Sequence, residues 1–114
     1  MSNLTNIDQI RAASALRNNA VKKEEGEGDN LSGFPSLIIN NGLIAAIAFA
    51  IDKGNQHMRI ATALAEHLNE QGVIKATSSA TLRDALCNCP ASTLQRATRE
   101  SLSFLSYLKR FHRS

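Results

Sequence analysis

The side chains with the most chemical potential are the C-terminal arginines Arg96, Arg99, Arg110 and Arg113, in the run LQRATRESLSFLSYLKRFHRS. They recur at spacings of three and four, with Ser103 and Ser106 between them. On a helix turning about 100° per residue, all six fall within an arc of about 100°. Guanidinium groups on one stripe, separated by small hydroxyl residues, let an extended anion approach closely. The chemistry this suits is contact with a phosphate backbone. The bland alternative is a solvated face, with Lys109 and Arg110 complementing the helix dipole.

Other reactive side chains are placed less usefully. Cys87 and Cys89 are too close in sequence to favour a disulfide, and with His112 they make three potential zinc ligands without a fourth. His57 and His67 would lie about 15 Å apart along one helix, at ~1.5 Å per residue, too far to share an ion or a substrate. No Walker loop, GxSxG, HExxH or paired acidic nuclease motif occurs. The chain is read as non-catalytic, with no metal and no cofactor.

Charge is unevenly spread along the 114 residues. In residues 1–30, Asp8, Glu24, Glu25, Glu27 and Asp29 outweigh Arg11, Arg17, Lys22 and Lys23 by one. Residues 81–114 hold Arg83, Arg96, Arg99, Lys109, Arg110 and Arg113 against only Asp84 and Glu100, a net +4. A locally basic end is an electrostatic footprint for nucleic acid or for an acidic protein surface. No signal-peptide pattern opens the chain, and the apolar run Leu37–Ile51 is too short and too polar to span a bilayer. A soluble, cytoplasmic protein with no membrane partner is expected.

These groups must be positioned by helices. Aromatic residues make up 4% of the chain and Trp is absent, so Leu, Ile and Ala must build the core. Such a core suits close-packed helices over a sheet. The expectation is all-α: a single compact bundle of about five helices over residues 1–114, with a mobile acidic linker at 24–32. The first helix would run from Ile7 to Lys23, capped by Asn6, with a stripe of Ile7, Ile10, Ala13 and Leu16 or Ala20. The second would open at Pro35, continue through Gly42 and stop at Gly54, forming the buried centre. A third, over Gln56–Gln71 with Asn55 as N-cap, would bury Met58, Ala61, Leu64, Ala65 and Leu68 and turn His57, His67, Glu66 and Glu70 to water. A short fourth would start at Thr81 in a capping box with Asp84. A long fifth would follow Pro90, with Ser92 and Gln95 as a second box, and bury Leu94, Ala97, Ser101, Leu105 and Leu108.

Several stretches have specific wording. FPSLIINNGLIAAIAFAIDKG, the ending Ala97-Thr98-x-Glu100-x-Leu102 before Tyr107-Leu108-Lys109-Arg110-Phe111, and Arg11-Ala12-Ala13 occur in order from end to end. This pattern resembles the small α-helical subunit of type III-B CRISPR effector complexes, the Cmr complex. Tyr107 stands where that family usually has tryptophan, and the segment Glu24–Asn30 is unusually acidic for it. The resemblance implies a small subunit that stacks with copies of itself into an inner filament, beside other Cmr subunits. It also implies contact with guide RNA and target RNA in antiviral defence, while cleavage belongs elsewhere. The candidate RNA-binding residues are Arg11, Arg17, Lys53, Arg96, Arg99, Lys109, Arg110 and Arg113. Lys53, Lys109, Arg110 and Arg11 lie on the resembling motifs; Arg96, Arg99 and Arg113 come from the helical face. Two rival readings are a helix-turn-helix DNA-binding regulator, from Thr81–Leu86, a turn at Asn88–Pro90 and Ser92–Arg96, and a helical adaptor that binds only protein.

Overall fold

A computed structural model describes residues 6–17 and 30–112, and for Arg17 and His112 the backbone alone. Six α-helices and no strand occur among the described residues. They are α1 (Ile7–Arg17), α2 (Asn30–Asn41), α3 (Leu43–Lys53), α4 (Asn55–Glu70), α5 (Ser79–Asn88) and α6 (Ala91–His112). The all-α expectation is borne out, and the count rises by one because the expected second helix is two. The extension of the first helix to Lys23 and the acidic residues Glu24–Asp29 lie outside the described residues. The last three linker residues, Asn30–Ser32, are already helical.

Gly42 makes the break between α2 and α3. Its φ of 89° and ψ of 158° lie in a region essentially reserved for glycine. The chain turns there without losing its ladder, since Gly42 N–H donates to Ile38 O at 2.7 Å and Gly42 O accepts from Ala46 N–H at 3.1 Å. A Cβ at Gly42 would meet no atom within 4 Å, so any cost of adding one is conformational. Gly42→Ala should therefore lower stability by about 1–3 kcal/mol, read as a shift in denaturation midpoint. No change in the midpoint would mean the kink is not needed.

Pro35 does not open its helix; it is the sixth residue of α2. The helix starts earlier because Leu31, Phe34 and Ile38 share one buried face, and Asn30 N–H is held by Gln56 Oε1 at 3.2 Å. Proline this close to the start forfeits one early backbone bond.

The centre of the bundle is α4. It touches α2, α3, α5 and α6 and buries Ile60, Ala61, Ala63, Leu64, Ala65 and Leu68. By contrast α3 buries Leu43, Ala46, Ile47 and Ala50 on one side and leaves Ala45, Ala48 and Phe49 exposed. The expected buried centre was thus one helix too early. At the start of α4 the cap position is Gly54, and Asn55 is the first helical residue with φ 51°, a conformation asparagine tolerates. At α5 the capping box is Ser78 with Thr81, three residues before the expected one. The long α6 follows Pro90 as expected and buries Ala97, Ser101, Phe104, Leu105 and Leu108. It starts at Ala91, however, so Ser92 lies inside the helix and not at a cap, and Leu94 is only half-buried.

In α1 the expected cap is present as a reciprocal pair. Gln9 N–H donates to Asn6 Oδ1 at 2.9 Å, and Asn6 N–H donates to Gln9 Oε1 at 3.0 Å. Its expected apolar stripe is not the buried one. Ile7 and Leu16 are 40% and 56% exposed, while Ser14 and Ala15 are buried and Arg11 is drawn inward.

Candidate nucleic-acid interface

Because α6 buries one edge under α1 and α2, its opposite edge is left in solvent. Arg96, Arg99, Ser106, Lys109 and Arg110 are all exposed there and Ser103 is half-buried. From Arg96 to Arg110 the stripe runs about 21 Å, at ~1.5 Å per residue. No ion pair joins Arg96, Arg99, Lys109 or Arg110 to a carboxylate of the described residues. Arg113 lies outside the described residues, as does the side chain of Arg17.

Beside the N-terminal half of this stripe lies an open groove of about 470 Å³. Its lining combines Gly42, Leu43 and Leu94 with Gln95, Thr98 and Arg99. Gly42, at the α2–α3 break, lines it together with Leu94 of α6. Arg99 belongs both to the groove and to the stripe.

Lys53 is exposed at the end of α3, with its ammonium 5.6 Å from the Phe49 ring centroid. At that range and without burial the cation–π attraction is small. Phe49 in turn meets His57 edge-on at 5.4 Å. Lys53 thus sits on a different helix from the arginine stripe.

Arg11 is not a free surface cation. Its Nε and Nη2 donate to Glu100 Oε2 and Oε1, both at 2.8 Å, and Nη1 donates to Asp8 at 3.1 Å. The fork is bidentate and mostly shielded from water, with the side chains of Arg11 and Glu100 only 19% and 10% exposed. Hydrogen bonding to Glu100 holds the Arg11 guanidinium above its ordinary range. Burial alone would raise the Glu100 carboxyl, but hydrogen bonds from Arg11 and His67 outweigh it and hold that carboxyl below its usual value.

His67 is the residue the sequence reading misplaced most. Expected to face water, it is fully buried and lies flat on Phe104, with centroids 4.2 Å apart and planes 8° from parallel. Its Nε2 is 2.7 Å from Glu100 Oε2 and its Nδ1 is 3.1 Å from the Ser14 hydroxyl. Burial pushes the imidazole below its ordinary value, against the pull of Glu100. The Ser14 hydroxyl in turn donates to Glu70 Oε1 at 3.2 Å. Sealed this way, His67 cannot meet a substrate together with His57. Among the described residues, no three His, Cys, Asp or Glu side chains group as a metal site, and no helix is long and apolar enough to cross a membrane.

The comparisons with known proteins point one way. Residues 7–114 match the family described as CRISPR-associated protein (Cas_Cmr5). A solved structure, the crystal structure of a CRISPR-associated Cmr5 family protein from Thermus thermophilus, superposes with a TM-score of 0.76 at 26% sequence identity. The alignment covers 95% of this chain and 96% of that one. No curated protein matches.

Proposed function

This chain belongs to the Cas_Cmr5 family of CRISPR-associated proteins, the small subunits of type III-B Cmr complexes. From that premise we propose that it is a non-catalytic scaffold which stacks with copies of itself and touches RNA through α6. The observation behind the RNA contact is the row Arg96, Arg99 and Arg110, exposed on one edge without carboxylate partners among the described residues. Its neighbours are other Cmr subunits, guide RNA and target RNA, in the cytoplasm and in antiviral defence. Contact of this kind is to backbone phosphate and carries no sequence information of its own; guide–target pairing supplies that. Lys109 and Arg113 are secondary candidates for the same surface, and Lys53 and Arg17, on other helices, are alternatives to it.

Stacking requires two different faces on each copy, because a head-to-tail contact is heterologous and propagates. The acidic residues Glu24, Glu25, Glu27 and Asp29 and the basic α6 are opposites in charge, and their pairing between neighbours would set alignment.

Binding of unrelated single-stranded RNA oligomers by the isolated subunit, followed by fluorescence anisotropy across a salt series, tests the RNA contact. We expect weak binding indifferent to sequence, with log K falling against log salt at a slope of about −2 for three phosphates. Replacing Arg96, Arg99 and Arg110 with Ala should flatten that slope and cost at least about tenfold in affinity at low salt. A salt-independent, sequence-specific complex with duplex DNA would replace this reading with the helix-turn-helix one. Reconstitution of the complex with Glu24, Glu25, Glu27 and Asp29 changed to Ser tests alignment separately. Unaltered assembly would discard the charge pairing and leave the RNA role standing.

A further inference from the structure

We propose that the groove beside Arg99 is a nucleobase site, taking one unstacked base of an RNA strand whose phosphates lie on Arg96 and Arg99. The site rests on the RNA contact proposed above and adds to it the part of the nucleotide that an arginine row leaves unheld. The order of side chains round α6 carries the inference. At about 100° per residue, the path from the stripe into the groove meets Arg96, Arg99, Gln95, Thr98 and Leu94 in turn. The first three are exposed, and Thr98 and Leu94 are half-buried. Charge thus gives way to an amide, then a hydroxyl, then an apolar floor. A nucleotide carries the same gradient, from phosphate through ribose to the flat face of its base.

The rest of the lining comes from the α2–α3 break, as Gly42 and Leu43. Gly42 has no side chain, and its N–H and C=O are already paired with Ile38 and Ala46, so it offers a base bare backbone surface. At about 470 Å³ the open groove is within the usual range of small-ligand clefts, about 300–1,000 Å³, and admits a base with its ribose. No aromatic ring lines it. Bases also stack on guanidinium planes, and Arg99, exposed and with no carboxylate partner among the described residues, is placed to cover one.

The polar groups of the groove hold a base without choosing among bases. Thr98 Oγ1 donates to Leu94 O at 2.8 Å, which leaves the hydroxyl oxygen as an acceptor. The Gln95 amide presents a donor or an acceptor as it turns. Such a pair suits any base edge, in keeping with contact that is indifferent to sequence. The cationic rim favours a base over an apolar side chain from a protein neighbour, since only the base brings a phosphate with it.

A single-stranded RNA and an abasic oligomer with the same ribose-phosphate chain, compared on the full chain, test the site. The RNA should bind about fivefold more tightly, at the low end for base stacking because the groove has no aromatic ring. That ratio should hold across a salt series, because stacking a base releases no counterions. In methyl NMR spectra of the wild-type chain, the RNA should shift the Leu94 and Thr98 signals and the abasic oligomer should not. Leu94→Ala should bring the ratio to about one and leave abasic binding as it was. Equal binding of the two oligomers by the wild-type chain, or Leu94 and Thr98 signals that RNA does not move, would overturn the base site. If replacing Arg96, Arg99 and Arg110 with Ala then weakens both oligomers, the backbone contact stands without it; if it weakens neither, the RNA reading itself has failed. A base-dependent gain that survives in Leu94→Ala also overturns the site, and exclusion of that variant from the reconstituted complex would then give the groove to a protein neighbour. The wild-type measurements decide even if the variant does not fold.

Discussion

Ile47→Asp should leave the chain unfolded at 25 °C, while Ala45→Asp, two residues away, should melt within about 0.5 kcal/mol of wild type. Ile47 is fully buried on the face of α3 that meets the core, whereas Ala45 is on the exposed face. A carboxylate at position 47 has no cation within the apolar cluster around it. Either it stays charged without a partner or it binds a proton and still loses its hydrogen bonds to water. Either outcome costs about 4–5 kcal/mol or more, close to the whole stability of a small domain, at about 5–15 kcal/mol. Leu43→Asp, also buried at the start of α3, should behave like Ile47→Asp. Circular dichroism melts of the three variants decide the matter. Equal damage from Ala45→Asp and Ile47→Asp would mean that α3 is enclosed on both sides, contrary to the exposure of Ala45, Ala48 and Phe49.

That contrast also marks where sequence reasoning stops. Helix existence was legible over most of the described residues from apolar spacings of three and four, though Asn30–Ser32, read as linker, belong to α2. The wording of the Phe34–Gly54 stretch and of the C-terminal run sufficed for the family. Which helix lies at the centre was not legible. Ala45, Ala48 and Phe49 make α3 read as greasy all round, yet alanine is indifferent to water and sits on either side at little cost. The central α4 carries Gln56 and His67 among its buried residues, and these raise its apparent polarity. The helix boundary at Gly42 was read as helix interior because a mid-helix glycine and a helix-ending one look alike until φ is known.

The misplaced polar residues share one cause. By residue type Arg11 and His67 belong in solvent, yet both are drawn inward and satisfied by Glu100, with Ser14 completing the set. Burial of a charge is tolerable only when its partner is buried with it, and Arg11 and His67 find theirs 89 and 33 residues away in sequence. Nothing local announces such a pairing. By contrast, the exposed arginines of α6 were legible from spacing alone, since their neighbours at the buried positions Ala97, Ser101, Leu105 and Leu108 fix which edge must face out.

Separating these two kinds of arginine gives the second large effect. Arg11→Ala should destabilise the fold by about 2–4 kcal/mol and leave RNA affinity per folded molecule unchanged. The replacement removes three hydrogen bonds at once and leaves Glu100, 8% exposed, with His67 as its remaining partner in the core. Truncating one member of a shielded ion pair costs more than the pair is worth, because the other charge stays behind. The loss should be smaller at lower pH only once Glu100 can protonate, since without Arg11 its carboxyl rises toward the protonated form. Replacing Arg96, Arg99 and Arg110 with Ala should do the reverse. Each side chain is exposed and unpaired among the described residues, so the melt should shift by no more than about 0.5 kcal/mol per site while RNA binding weakens at least about tenfold. Denaturant melts and anisotropy on the two variants together make the comparison. If Arg11→Ala loses RNA affinity at wild-type stability, the Glu100 fork is not its role and α1 belongs to the RNA surface. If the triple variant binds RNA as wild type does, α6 is not that surface, and Arg17 and Lys53 become the place to look.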